Sequence, residues 1–199
     1  MRSVREAFPD AVVHVDCNSG FTLDDLPLFR ELDRFGLAMI EQPLGSDDLV
    51  DHAQLQDQLE TPICLDESIT SLDRARKAIE IEACRWINLK VGRAGGLTNA
   101  IAIHDICQEN AIPCWVGGML ESAVGQGPSL ALSTLGNIHY PCDIFPSDRF
   151  YHEDLAEPPI RLAGPSLMLA PETAGHGFTP HPDRLRTHTI RHAALGEGR

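Results

Sequence analysis

Long apolar runs are missing from this sequence: none reaches the roughly 18 residues that a membrane-spanning helix requires. Basic residues are also scarce, 16 lysines and arginines against 29 acids, for a formal net charge of −13. Nucleic acid and anionic membranes would be repelled by such a surface, so neither is an expected partner. No two of the six cysteines (Cys17, Cys64, Cys84, Cys107, Cys114 and Cys142) form a CxxC pair. That argues against a zinc knuckle or a redox dithiol, and the cysteines read as reduced, core-facing thiols. The nine histidines form no HxxxH or HxH group at a strand end, and His176, His181, His188 and His192 read as surface groups. The opening MRSVREAFPD lacks the apolar stretch of a signal peptide, so the expected location is cytoplasmic.

What is present is alternation. Short, nearly continuous apolar runs recur at 11–16, 37–41, 62–66, 86–91, 112–118 and 140–145. These read as strands buried on both faces. Helical patterns lie between them at 24–35, 47–59, 71–80, 97–110 and, interrupted by Gly127 and Pro128, at 120–135. Thr22, Ser46 and Ser71 stand where N-caps are wanted. Strand alternating with helix predicts an α/β fold with a parallel sheet, either doubly wound or a (β/α)₈ barrel of which about six strands are visible. The alternation stops after residue 150. This divides the chain into 1–150 and a Pro/Gly-rich segment, 151–199, whose end is expected to fray.

Three successive strands end in an acid: Asp16, Glu41 and Asp66. The fourth ends in Lys90. Parallel strands deliver their C-terminal residues to one face, where barrel active sites lie. Converging carboxylates need protons or a cation. A set of hard oxygen donors suits Mg²⁺, with Mn²⁺ as the alternative. The competing interpretations are caps or loop carboxylates for the acids, and a plain salt bridge to one of them for Lys90.

The segments DCNS, IEQPL, LDES and NLKVGRAGG resemble the metal-ligand and lysine motifs of the enolase superfamily. GGMLESAVG is similar to a loop of the branch containing o-succinylbenzoate synthases and N-acylamino acid racemases. The likeness runs from residue 1 to about 180. It implies that Asp16, Glu41 and Asp66 hold the metal and that Asn18, Glu67 and Asn88 orient ligands or substrate. It makes Lys90 a catalytic lysine and lets Gly117, Gly118, Met119 and Leu120 line the substrate cavity. Glu121 is expected to be structural or to act from behind the ligands. Cys17 stands where the family pattern leads us to expect alanine. The weak likeness of VGRAGG to a phosphate loop fails on spacing.

The resemblance further implies a Mg²⁺-dependent lyase of o-succinylbenzoate synthase type, acting on a small-molecule carboxylate. The reaction would be a dehydration through an enediolate that serves menaquinone biosynthesis, by an enzyme forming homo-oligomers when intact. Racemisation of N-acylamino acids, or another epimerase or cycloisomerase activity, is the alternative. A non-catalytic metal-binding fragment is an alternative of a different class. The family's Lys-x-Lys strand has no counterpart before Asp16. The expectation is therefore an incomplete barrel of about six of eight strands without its N-terminal capping domain. In that reading 151–180 would face the cap, and the 199-residue chain would have little or no turnover.

Overall fold

The computed structural model describes residues 1–193. After helix α1 (Arg2–Ala7), five short strands form one parallel sheet in sequential order: β1 (Val15–Asp16), β2 (Ile40–Glu41), β3 (Ile63–Leu65), β4 (Trp86–Leu89) and β5 (Cys114–Val116). Helices α2 (Leu26–Asp33), α3 (Leu49–Asp57), α4 (Leu72–Glu80) and α5 (Leu97–Glu109) return the chain between them, and α6 (Ala123–Leu132) follows β5. Five expected strands are thus regular. The sixth, around 138–143, runs beside β5 through a parallel bridge between Cys114 and Ile138. Its main-chain bonds run from Cys114 N–H to Asn137 O, from His139 N–H to Cys114 O and from Asp143 N–H to Val116 O. Pro141 sits inside this run and has no N–H to donate, so the ladder is broken there.

Helix starts follow local chemistry. Ser71 caps α4 by accepting the Arg74 N–H at 3.2 Å. Thr22 opens a 3₁₀ turn, Leu23–Asp25, whose Asp25 carboxylate accepts the Thr22 N–H at 2.9 Å. At α3 the expected cap was Ser46, but Asp48 holds that position and accepts the Asp51 N–H at 2.9 Å. The Ser46 carbonyl instead accepts the Arg74 guanidinium at 2.7 Å.

The two faces of the sheet differ in what they bury. Val15, Ile40, Ile63, Leu65, Ile87, Leu89, Cys114 and Val116 point outward and join Phe29, Leu55, Ala75, Ile103 and Cys107 in the core between sheet and helices. The residues between them point inward, where Met39, Cys64, Trp86, Trp115 and Tyr140 form a second cluster. The sheet is rolled. In a flat sheet β1 and β5 would stand about 19 Å apart, four strand spacings. Yet the His14 and Trp115 rings have centroids 5.7 Å apart across the concave side. All six cysteines are free, with Cys64, Cys84, Cys107 and Cys114 buried. Among the described residues, no helix is long and apolar enough to cross a membrane.

The C-terminal segment packs on α6. A two-stranded antiparallel pair, β6 (Ala156–Glu157) and β7 (Thr179–Pro180), precedes α7 (Pro182–His188). Ala156, Ile160 and Phe178 pack on Ala123 and Leu130 of α6. Phe178 and His176 lie against Gly127, where any larger residue would collide with them. Part of the tail expected to fray, residues 194–199, lies outside the described residues.

The buried Asp154 ties this segment to α6. Its carboxylate accepts the N–H of Ala123, the N–H of Ala156 and the Ser147 hydroxyl, the last at 2.5 Å. Removing it leaves three buried donors unsatisfied. Asp154→Ala is therefore expected to destabilise the protein by about 2–4 kcal/mol, read as a lowered Tm in thermal unfolding.

Candidate active site

Asp16 and Glu41 are the last residues of β1 and β2 and are direct cross-strand partners. Asp66 follows β3, and Lys90 follows β4. The ladder is staggered relative to the sequence spacing. Glu41 pairs with Cys64, not with Asp66, and Cys64 pairs with Trp86. Asp66 therefore stands two residues further along its strand than the partner of Glu41. A sheet rolling toward a barrel needs this stagger, because tilted strands bring their tips to a common mouth only if each runs past its neighbour.

Glu41 is 2% exposed. Its Oε1 accepts the Asn88 Nδ2 at 2.7 Å, and its Oε2 lies 3.5 Å from His14 Nε2. Burial pushes its carboxyl up to about 7. The Asn88 hydrogen bond opposes that rise, as does the Lys90 charge, while the charges of Asp16 and Asp66 add to it. His14 is lowered by burial, against the pull of Asp16 and Asp143, and its Nδ1 lies 3.1 Å from the Tyr140 hydroxyl. Asp16 is exposed; it accepts the Asn18 main-chain N–H at 2.9 Å and the Asn18 side-chain amide at 2.8 Å. Asp66 is 1% exposed and doubly paired, with Lys90 Nζ at 2.9 Å on Oδ2 and the Arg93 guanidinium on Oδ1. Burial still raises its carboxyl, outweighing both cations.

Asp16, Glu41, Asn88, Lys90 and Gly117 line one open cavity on the concave side, with His14 and Tyr140 at its wall. Asp66 is not among its lining residues. Among the described residues, no three His, Cys, Asp or Glu side chains are placed to hold a metal ion. The expected grip by three acids is thus not assembled in this arrangement: two of the three, Asp16 and Glu41, face the cavity together with Asp143, and Asp66 lies in ion pairs. The salt bridge weighed for Lys90 is present. The donor chemistry nonetheless fits a hard divalent cation. Asp66 alone takes both cationic side chains, while Glu41 is buried beside an amide and a histidine and is raised to about 7. For Asp66 to join the other two as a ligand, Lys90 or Arg93 would have to release an oxygen.

The remaining expected residues divide. Asn88 reaches Glu41, and its own Oδ1 is buried without a partner. Glu67 is half-buried with Oε2 likewise unpartnered. Gly117 is required by space: a Cβ there would meet the Asn88 amide and come within 2.6 Å of Lys90 Cε. A Cβ on Gly118 would run into the main-chain carbonyl of Asp143. Met119 and Leu120 are exposed and line a neighbouring recess with Phe145, Arg149 and Phe150, outside the cavity of Asp16 and Glu41. Glu121 packs under Gly125 and beside Gly92, a structural placement.

Sequence reasoning missed His14, Arg93 and Tyr140. His14 carried a signal: it lies two residues before Asp16 on one strand, so both side chains share a face. Arg93 carried none, because a loop conformation decides where it points.

The enolase C-terminal domain-like family matches residues 1–184. An o-succinylbenzoate synthase from Geobacillus stearothermophilus is 49% identical over 178 residues, covering 89% of this chain and 47% of that protein. An N-succinylamino acid racemase from Amycolatopsis sp is 43% identical over 197 residues, covering 98% of this chain and 53% of its own length. Among solved structures, an enolase-superfamily member from Listeria innocua superposes with a TM-score of 0.90 at 41% identity, over 96% of this chain and 51% of that one. A dipeptide epimerase from Cytophaga hutchinsonii, complexed with Mg and a dipeptide, gives 0.85 at 26% identity, over 94% and 51%. The chain spans about half the length of the curated relatives it matches. On these matches, the chain belongs to the enolase C-terminal domain-like family.

Proposed function

We propose that this chain carries the acid-and-lysine face of a Mg²⁺-dependent enolase-superfamily enzyme acting on a small-molecule carboxylate. The observation that carries this is the cavity at the strand tips, where Glu41 is buried beside the Asp16 charge and Lys90. In this reading Asp16, Glu41 and Asp66 hold the metal, and Asn18 and Asn88 fix the carboxylates they already bond. Glu67 offers an unused acceptor beside Asp66. Bound Mg²⁺, or Mn²⁺, would supply Lewis-acid stabilisation of negative charge developing on a substrate carboxylate. Lys90 lines the same cavity in the space that the missing side chain at Gly117 leaves, with its ammonium on Asp66. There it can stabilise a developing anion or exchange a proton. Met119 and Leu120 offer apolar surface beside the mouth.

The rolled five-stranded sheet supports the finer fold proposal, a (β/α)₈ barrel wall still open between β1 and the sixth strand. Dehydration of o-succinylbenzoate synthase type, serving menaquinone synthesis, is the leading activity. Racemisation of N-acylamino acids is the second, favoured by a racemase relative that matches almost the whole chain. Both begin with a proton α to a carboxylate. Assays with Mg²⁺ on the cyclohexadiene carboxylate precursor and on N-succinyl amino acids separate them, made on a full-length protein that joins this chain to the family's Lys-x-Lys strand. Clear turnover of either by the 199-residue chain alone overturns the non-catalytic fragment.

Metal roles are tested by calorimetric titration with Mg²⁺. Asp66→Asn is expected to weaken binding by more than roughly tenfold. Lys90→Ala should spare or strengthen it, because Asp66 loses a competing cation. Equal affinity in the two variants contradicts the assignment.

Glu41 supplies a pH test. Its folded value, about 7, lies above the ordinary 4.5, so the folded state holds a proton that the unfolded chain releases earlier. Its contribution to stability is full below about 4.5 and is lost as pH rises through about 7. Thermal unfolding without metal should therefore show the advantage of the parent over Glu41→Gln shrinking across that window. Mg²⁺ affinity should rise over the same window as the proton is displaced.

A further inference from the structure

Gln42 follows Glu41 and is fully buried, with a main-chain φ of +35°. That left-handed conformation disfavours a residue with a side chain, so something must hold it in place. The holding contacts reach all three acid-bearing strand ends. Its N–H donates to Cys64 O on β3 and its carbonyl accepts the Ser19 N–H after β1, both at 2.8 Å. Its side-chain Oε1 accepts the Asp66 N–H at 2.9 Å and the Ser68 N–H at 3.1 Å. Its Nε2 donates to the Ser68 hydroxyl at 2.8 Å and to Leu44 O at 3.1 Å. His52, also buried, accepts the Leu44 N–H at 3.2 Å and so pins the far side of the same loop.

We propose that Gln42 is the positioning residue of this site: its side chain fixes the main chain of Asp66 against the strand end that carries Glu41, so that Asp66 can join Glu41 and Asp16 at one divalent ion once it gives up an ion pair with Lys90 or Arg93. It touches no substrate and donates nothing to the metal; it acts through the main chain of the ligands. This rests on the metal reading above.

The chain contains its own control. Gln56, 3% exposed, is a second buried amide clamp at the opposite end of β3. Its Oε1 accepts the Ile63 N–H at 2.7 Å and its Nε2 donates to Leu59 O and Thr61 O. Both glutamines therefore carry comparable structural bonds, but only Gln42 adjoins the acids.

The test compares Gln42→Met with Gln56→Met in the 199-residue chain, using Mn²⁺ alone as the probe. Mn²⁺ affinity is read by electron paramagnetic resonance, and amide hydrogen exchange is read at Asp66 and Ile63. Gln42→Met is expected to weaken Mn²⁺ binding by roughly tenfold or more and to deprotect the Asp66 amide. Gln56→Met should lower Tm and deprotect Ile63 with Mn²⁺ affinity unchanged. Equal Mn²⁺ affinity in the parent and Gln42→Met overturns the proposal, as does an equal loss in both variants, which would mark a general structural effect. If Gln42→Met does not fold, Ser68→Ala carries the test: it removes one anchor of the amide and no main-chain bond. A smaller loss of affinity supports the proposal and an unchanged affinity overturns it. No Mn²⁺ binding by the parent overturns the metal reading itself. In that case unaltered protection of Asp66 in Gln42→Met would also deny that Gln42 fixes this strand end.

Discussion

Negative charge buried at the strand tips is the constraint around which the rest is arranged. Glu41 and Asp66 are almost wholly removed from water, and each is answered by a different device. Asp66 has two cations, Lys90 and Arg93. Glu41 has a neutral amide, Asn88, and a histidine at 3.5 Å, and its carboxyl rises to about 7. Burying a carboxylate costs several kcal/mol unless it is paired or protonated. The difference between the two acids is therefore one of local charge supply. Perturbed carboxylates of this kind concentrate in functional clefts, and structural ion-pair networks carry them as well.

The rolling of the sheet makes these tips neighbours. Short strands, two to four residues long, are enough because each is flanked by helices that bury its outer face. The inner face carries large rings low down, at Trp86, Trp115 and Tyr140, and polar groups toward the C-terminal edge. That gradient separates a packed floor from a wet mouth. The stagger between Glu41 and Asp66 belongs to the same geometry, since adjacent tips lie at different depths along the ladder.

Around the mouth, small residues serve clearance. Gly117 leaves room for Asn88 and Lys90, and Gly118 for the Asp143 carbonyl. The C-terminal segment closes the outer side of α6 through Phe178 and the carboxylate of Asp154. Lys77 and Lys90 are the only lysines in the chain. Lys77 is spent on an exposed pair with Glu80, which leaves Lys90 as the lysine at the site.

Much of this was legible from residue order alone. Apolar runs, caps such as Ser71 and Thr22, and the helix spacing are local properties, and the five strands and the helices between them followed from them. Acids at three strand ends with a lysine at the fourth singled out one edge of the sheet, because parallel strands must deliver their ends to one face. What residue order left open was decided by contacts between distant elements. Pro141 could not reveal how far the sixth strand would lose regularity, nor Ser46 that Asp48 would take the cap. That Asp66 stands two residues beyond the cross-strand partner of Glu41 is set by the ladder register. The placement of Arg93 on Asp66, of His14 between Glu41 and Tyr140, and of the Gln42 amide on the next strand belongs to tertiary structure. Each depends on a loop path or on the curl of the sheet, and no sequence periodicity encodes either.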